Sequence, residues 1–145
     1  MGVASGWGTY GVNLAYQLAR KGIAPALFLV ASRPTLTETQ NAVLGPALAE
    51  HGRWNTVLKE GRASLDFPVL HALGDKLDFP QTTAGMTGRP DVGLVFFESA
   101  TVPAANLAAA KRFGLIVTGS SWNADVLKRH GITQVANCPQ GVDLE

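Results

Sequence analysis

Residues 91–131 read DVGLVFFESATVPAANLAAAKRFGLIVTGSSWNADVLKRHG, and this stretch decides the fold. Asp91 to Phe97 is an apolar run carrying Val92, Leu94, Val95, Phe96 and Phe97. A continuous run suits a strand buried on both faces of a parallel sheet, whereas a strand with one wet face alternates. Pro103 then opens a helix, because its fixed φ and missing N–H fit the first turn. Leu107, Ala110 and Phe113 mark the buried face of that helix. Leu115 to Thr118 is a second strand. Ser121 is placed to cap a helix over 122–130, with Asp125 near its positive end and Trp122, Val126 and Leu127 facing inward. Gly131 stops that helix.

The alternation continues on both sides. Gln134 to Ala136 reads as a last short strand, and Phe67 to Leu73 as an earlier one. Gly74 to Pro90 between strands reads as a long loop, punctuated by Gly85, Gly88 and Pro90. Ala26 to Ala31 is a further buried apolar run. Thr37 to His51 reads as a helix with a kink or break at Gly45-Pro46 and an end at Gly52, and 53–66 has no clear period. Val12 to Lys21 reads as a helix, with Leu14 and Leu18, and Ala15 and Ala19, on adjoining stripes of one face. Helices alternating with buried strands imply a doubly wound parallel α/β sheet with right-handed crossovers. Ligands of such sheets bind at the carboxyl ends of the strands.

Composition narrows the function classes. The 145 residues suffice for one domain, and 46% are apolar, ample for a core. Twelve basic and eleven acidic residues give a net charge of +1, so no cationic field points to nucleic acid or to an anionic membrane. The lone Cys138 excludes an internal disulfide and a Cys-rich zinc module. No His/Asp/Glu cluster has metal-ligand spacing, so no metal is expected. The longest apolar stretch, Pro25 to Ala31, is far short of the roughly 20 residues that span a bilayer. With no basic leader at residues 1–15, a cytoplasmic protein is the expectation.

Gly6-Trp7-Gly8-Thr9-Tyr10-Gly11 matches G-x-G-x-x-G and reads as a glycine loop opening the helix at Val12. Glycines let backbone amides approach a phosphate at a helix N-terminus. A dinucleotide site also needs an acid at the end of the second strand, and here Ala31-Ser32-Arg33 stands there. Arg33 would instead meet a 2′-phosphate, so an NADP-type binding module is one reading of the loop. The other is a tight turn that needs glycine for its backbone alone.

A spaced series of motifs adds a resemblance. Phe97-Glu98-Ser99 is followed by Ile116-Val117-Thr118-Gly119-Ser120-Ser121-Trp122-Asn123-Ala124-Asp125-Val126-Leu127, by Gly131-Ile132, and by Pro139-Gln140-Gly141-Val142-Asp143. This series resembles the N-terminal half of GT-B glycosyltransferases of the glycosyltransferase-4 type, and Ser5 to Gly11 resembles that family's first loop. The likeness covers most of residues 5–143. It implies a Rossmann-like, acceptor-side domain over 1–139, with 140–145 as hinge or linker to a C-terminal donor-binding domain. It implies a nucleotide-sugar as donor substrate, no tightly bound cofactor, and a sugar, glycan or lipid as acceptor, in the cytoplasm or at the inner face of the membrane. Gly6, Trp7, Gly8, Thr9 and Tyr10 would contact the substrate or donor phosphates, and Gln140 and Gly141 would form the hinge. The family's donor domain carries two glutamates eight apart, and no pair of glutamates in this sequence has that spacing. The chain is therefore expected not to transfer sugar alone. Where many relatives end the strand equivalent to 91–97 in histidine, this one ends Phe96-Phe97-Glu98, and Gln140 stands where histidine is commoner.

Two residues are candidates for catalysis. Glu98 follows the 91–97 strand at its carboxyl end, where a carboxylate can orient an acceptor hydroxyl or take its proton. His71 ends another strand and would serve a hydroxyl or phosphate, against the plainer alternative of a hydrogen-bonded core histidine. His51 and His130 read as helix-dipole partners. Trp122 reads as core packing before sugar stacking, and Ser120 and Asn123 as caps before ligands.

Overall fold

The structure is a computed structural model that describes residues 6–28, 35–79 and 83–139. They fall into two compact units, Met1–Glu60 and Gly61–Glu145, taken here in turn.

The first unit is helical: α1 (Gly6–Arg20), α2 (Glu38–Ala49) and α3 (His51–Lys59). The glycine motif is therefore the first turns of α1 and not a loop before a helix at Val12. Glycine inside a helix costs about 1 kcal/mol relative to alanine. Packing outweighs that cost, since Ala15 and Tyr16 are buried with Leu44, and Val12 and Ala19 pack alongside. Thr37 caps α2 reciprocally, its hydroxyl accepting from the Gln40 N–H at 3.2 Å while the Gln40 side chain accepts from the Thr37 N–H at 3.1 Å. Pro46 lies inside α2, which runs through it to Ala49, and the break falls at Glu50. Proline removes its own N–H from the ladder and crowds the carbonyl four residues back, and the packing of Leu44, Val43 and Leu48 on both sides of it offsets that cost. Gly52 lies within α3 and ends nothing. The expected strand Ala26–Ala31 is not seen where it can be judged: 26–28 carry no strand, and 29–31 lie outside the described residues. His51 heads α3 instead of closing a helix. Its Nδ1 lies 3.0 Å from the Leu27 carbonyl and its Nε2 lies 2.7 Å from the Asn55 side-chain nitrogen, which ties Leu27 to α3.

The second unit is α/β. Its strands are β1 (Ala63–Ser64), β2 (Val69–Ala72), β3 (Met86–Thr87), β4 (Asp91–Val95), β5 (Leu115–Thr118) and β6 (Val135–Asn137), with α4 (Ala104–Ala110) and α5 (Ser121–Arg129) between the later ones. All described pairings are parallel, in a sheet ordered β2-β4-β5-β6 and a small pair β1-β3. The 74–90 segment thus holds a short strand and is not wholly loop.

Register explains the core. One face of the larger sheet presents the row His71, Gly93, Ile116 and Val135, and beyond it Val95 and Thr118. Ile116, Val95 and Thr118 are completely buried, under Ala110 of α4 and Val126 and Leu127 of α5. The opposite face presents Leu70, Val92 and Leu115, all less covered, with Leu70 48% exposed. The strand order runs one way without reversal, and α4 and α5 pack on one face. Parallel α/β architecture is present; winding on both faces is not seen within this unit. No described helix is long and apolar enough to cross a membrane.

Candidate functional site

Parallel strands end on one edge, so the turns after β4, β5 and β6 gather there. The turn after β4, Phe97-Glu98-Ser99, is gripped from two sides. From α5, the buried Asn123 donates its side-chain N–H to the Phe97 carbonyl at 2.7 Å. From the turn after β2, the Asp75 carboxylate accepts the Glu98 N–H at 3.0 Å. The Glu98 side chain is left exposed at the edge. Ser120, and not Ser121, caps α5: its hydroxyl accepts from the Asn123 N–H at 3.2 Å. Gly119 is required beside it, because a Cβ there would run into the ring of Phe96. The Cys138 N–H donates to the Thr118 carbonyl at 2.8 Å and carries the ladder past β6. Trp122 does not face inward. It is 43% exposed, its ring tilted on Phe97 with centroids 5.8 Å apart. Spacing to Val126 suggested burial, but Trp122 lies one turn nearer the edge, where Phe97 is the last core ring beneath it. His130 is the C-cap of α5 through its backbone N–H, and its Nε2 lies 3.0 Å from the Ala100 carbonyl in the segment after β4.

His71 belongs elsewhere. It is 2% exposed, and its Nε2 lies 2.8 Å from Oδ1 of Asp91, the first residue of β4. In the ladder His71 stands opposite Gly93 and its ring bonds Asp91 at the start of β4, whereas Glu98 follows the carboxyl end of that strand. Asp91 also accepts the Gly88 N–H at 2.7 Å and an Arg112 N–H at 3.1 Å, and Arg112 donates to the Met86 carbonyl at 2.7 Å. Phe79 and Phe113 stack at 5.2 Å, His71 edges both, and the Arg112 guanidinium lies over Phe79 at 4.5 Å. The imidazole is shut inside the core with its Nε2 held by Asp91, which fits the core alternative for His71.

Burial pushes the His71 pKa down, the hydrogen bond and charge of Asp91 push it up, Arg112 pushes it down again, and the net is below the ordinary imidazole value. For Asp91, burial pushes upward but is outweighed by the hydrogen bonds from His71 and Gly88 and the charges of His71 and Arg112, leaving the carboxyl below its usual range. The signs agree. Below about pH 6.5 the unfolded chain binds a proton at His71 that the folded chain resists, and below about pH 4 the same holds for Asp91. Stability is therefore expected to fall as pH drops from 7 to 5, and again in stronger acid. Urea midpoints across that range check this; a His71→Gln variant should flatten the pH 7 to 5 limb, and an unchanged limb would refute it.

The other expected site residues are distributed as follows. Gly6, Trp7, Gly8, Thr9 and Tyr10 lie in the opening turns of α1. Gln140 and Gly141 lie outside the described residues. No group of three or more His, Cys, Asp or Glu among the described residues is arranged to hold a metal ion. Sequence reasoning missed Asp91, Arg112 and Asp75, each of which has a partner 20 or more residues away in the chain. An Asp opening an otherwise apolar strand was the one visible signal for Asp91. Comparison with known protein families, with curated proteins and with solved structures finds no match to this chain.

Proposed function

We propose that the chain is the acceptor-side, Rossmann-like domain of a glycosyltransferase that uses a nucleotide-sugar donor held by a second domain. The observation that carries this reading is the meeting of the motif residues at one sheet edge. Phe97-Glu98-Ser99 and Ser120-Ser121-Trp122-Asn123, distant in sequence, are joined there by the Asn123–Phe97 hydrogen bond, beside the end of β6 that leads to Pro139. Glu98 is the exposed carboxylate of that edge and the group best placed to take a proton from an acceptor hydroxyl. His71 has no part in the chemistry. Such a domain would work in the cytoplasm or at the inner face of the membrane. The NADP-type alternative requires a phosphate loop at 6–11, and the helical backbone from Gly6 onward does not favour it.

The test is the reading frame beyond residue 145. A following domain with two glutamates eight apart is expected, and the longer product should transfer sugar from a nucleotide-sugar to a glycoside or lipid acceptor. Glu98→Gln should lower its kcat by about 10²-fold with folding intact. Transfer at full rate by the 145-residue chain alone, or no transfer by the longer product with any nucleotide-sugar, would overturn the reading.

A further inference from the structure

We infer that Trp122 and Glu98 form a binding subsite for a neutral pyranose ring, the acceptor sugar. The inference rests on the glycosyltransferase reading for the word acceptor and on unit geometry for the rest. Of the three large hydrophobic side chains exposed among the described residues, Ile23, Leu70 and Trp122, Trp122 alone stands at the carboxyl edge of the parallel sheet. Leaving an indole 43% exposed forgoes apolar burial, and the side chain is nevertheless held: Phe97 supports its ring, and the neighbouring Asn123 is bonded to the Phe97 backbone. The indole thus rests on Phe97 on one side and is open to solvent on another.

A pyranose has one face of C–H bonds and a rim of hydroxyls. The C–H face suits the electron-rich face of an indole, and the hydroxyls need acceptors beside it. Glu98 directly follows Phe97 and is exposed, and an ionised carboxylate accepts at both oxygens. The backbone that carries it is held by the Asp75 hydrogen bond to the Glu98 amide. The exposed Glu98 carboxylate, with the Asp75 carboxylate bonded to its amide, puts negative charge at this edge and disfavours a phosphate or a nucleotide diphosphate there. The chemistry therefore selects an uncharged sugar over the charged donor. Phe97 is 5% exposed, so Trp122 is the residue that meets the ring.

The experiment uses the 145-residue chain and two-dimensional NMR of its three tryptophan indoles, with the Trp122 signal assigned from Trp122→Phe. Methyl pyranosides of glucose, galactose, mannose and N-acetylglucosamine are titrated separately. At least one should move the Trp122 signal saturably, with a Kd of the order of millimolar. Binding to the variants is followed by the backbone amide signals of Glu98, Ser99 and Asn123, which every variant keeps. Trp122→Ala, its fold checked by the backbone spectrum, should weaken binding about tenfold or more, and Trp122→Phe, which keeps a ring, by less than about threefold. Glu98→Gln should weaken it severalfold. No saturable shift with any pyranoside, or equal affinity in Trp122→Ala, overturns the subsite. The two readings can fail separately. Transfer by the longer product with a KM untouched by Trp122→Ala would remove the subsite and leave the function; pyranoside binding at Trp122 without transfer would do the reverse.

Discussion

Asp91→Ala is expected to destabilise the α/β unit by about 3–4 kcal/mol, because it strands three donors at once. His71 loses the partner of a side chain only 1% exposed, Gly88 loses the acceptor of its N–H, and Arg112 loses the carboxylate beneath it. The Arg112 share is the smallest, since that side chain is 30% exposed and water can replace the partner. Set against a total stability of about 5–15 kcal/mol for a typical domain, the loss is a large fraction. Asp91→Asn keeps an oxygen for Gly88 and His71 but turns an amide toward Arg112, so about half the cost is expected. Urea denaturation of both variants at pH 7 decides it. A change under about 1 kcal/mol for Asp91→Ala would mean that the network stabilises no more than a surface ion pair does.

Gly88→Ala is expected to cost about 2–3 kcal/mol through overpacking. An added Cβ would stand 2.6 Å from Cγ2 of Val69, 2.7 Å from its Cβ and 2.7 Å from its backbone nitrogen. A side-chain tip could swing away, but the backbone of β2 cannot: the Val69 N–H donates to the Pro90 carbonyl at 3.0 Å and Val69 pairs with Asp91 in the ladder. The loop must retreat instead, and the Gly88–Asp91 hydrogen bond goes with it. The two substitutions therefore share an interaction, and the double variant should lose measurably less than the sum of the singles. Strict additivity in a thermal or urea cycle would show that the clash relaxes without touching Asp91.

What the sequence made legible was whatever two-sided burial writes as a run of apolar residues. β5 is found at its expected bounds, β4 and β2 lie within theirs, and α4 begins directly after Pro103. The failures have physical sources. Glycines in 6–11 suggested a loop because local propensity was weighed without the partner Leu44, which packs on Ala15 and Tyr16 of the helix that begins at Gly6. Gly45-Pro46 suggested a break for the same reason. Trp122 was assigned inward on spacing alone, which ignores where the sheet beneath a helix ends. At the candidate site, Glu98 could be placed at a strand end by pattern, but its fixing by Asp75 and Asn123 joins residues 23 and 26 positions from their partners. His71 showed its strand position in the sequence and concealed its partner, 20 residues away.

The unreversed strand order carries a consequence for how the chain comes to be folded. Each ladder of the larger sheet joins segments only about twenty residues apart, Val69 with Asp91, Val92 with Leu115 and Ile116 with Val135. No ladder waits for the far terminus, so the closure entropy of each step is modest. As the polypeptide leaves the ribosome, β4 can dock on β2, β5 on β4 and β6 on β5 in the order of synthesis, each newcomer finding a finished edge as its template.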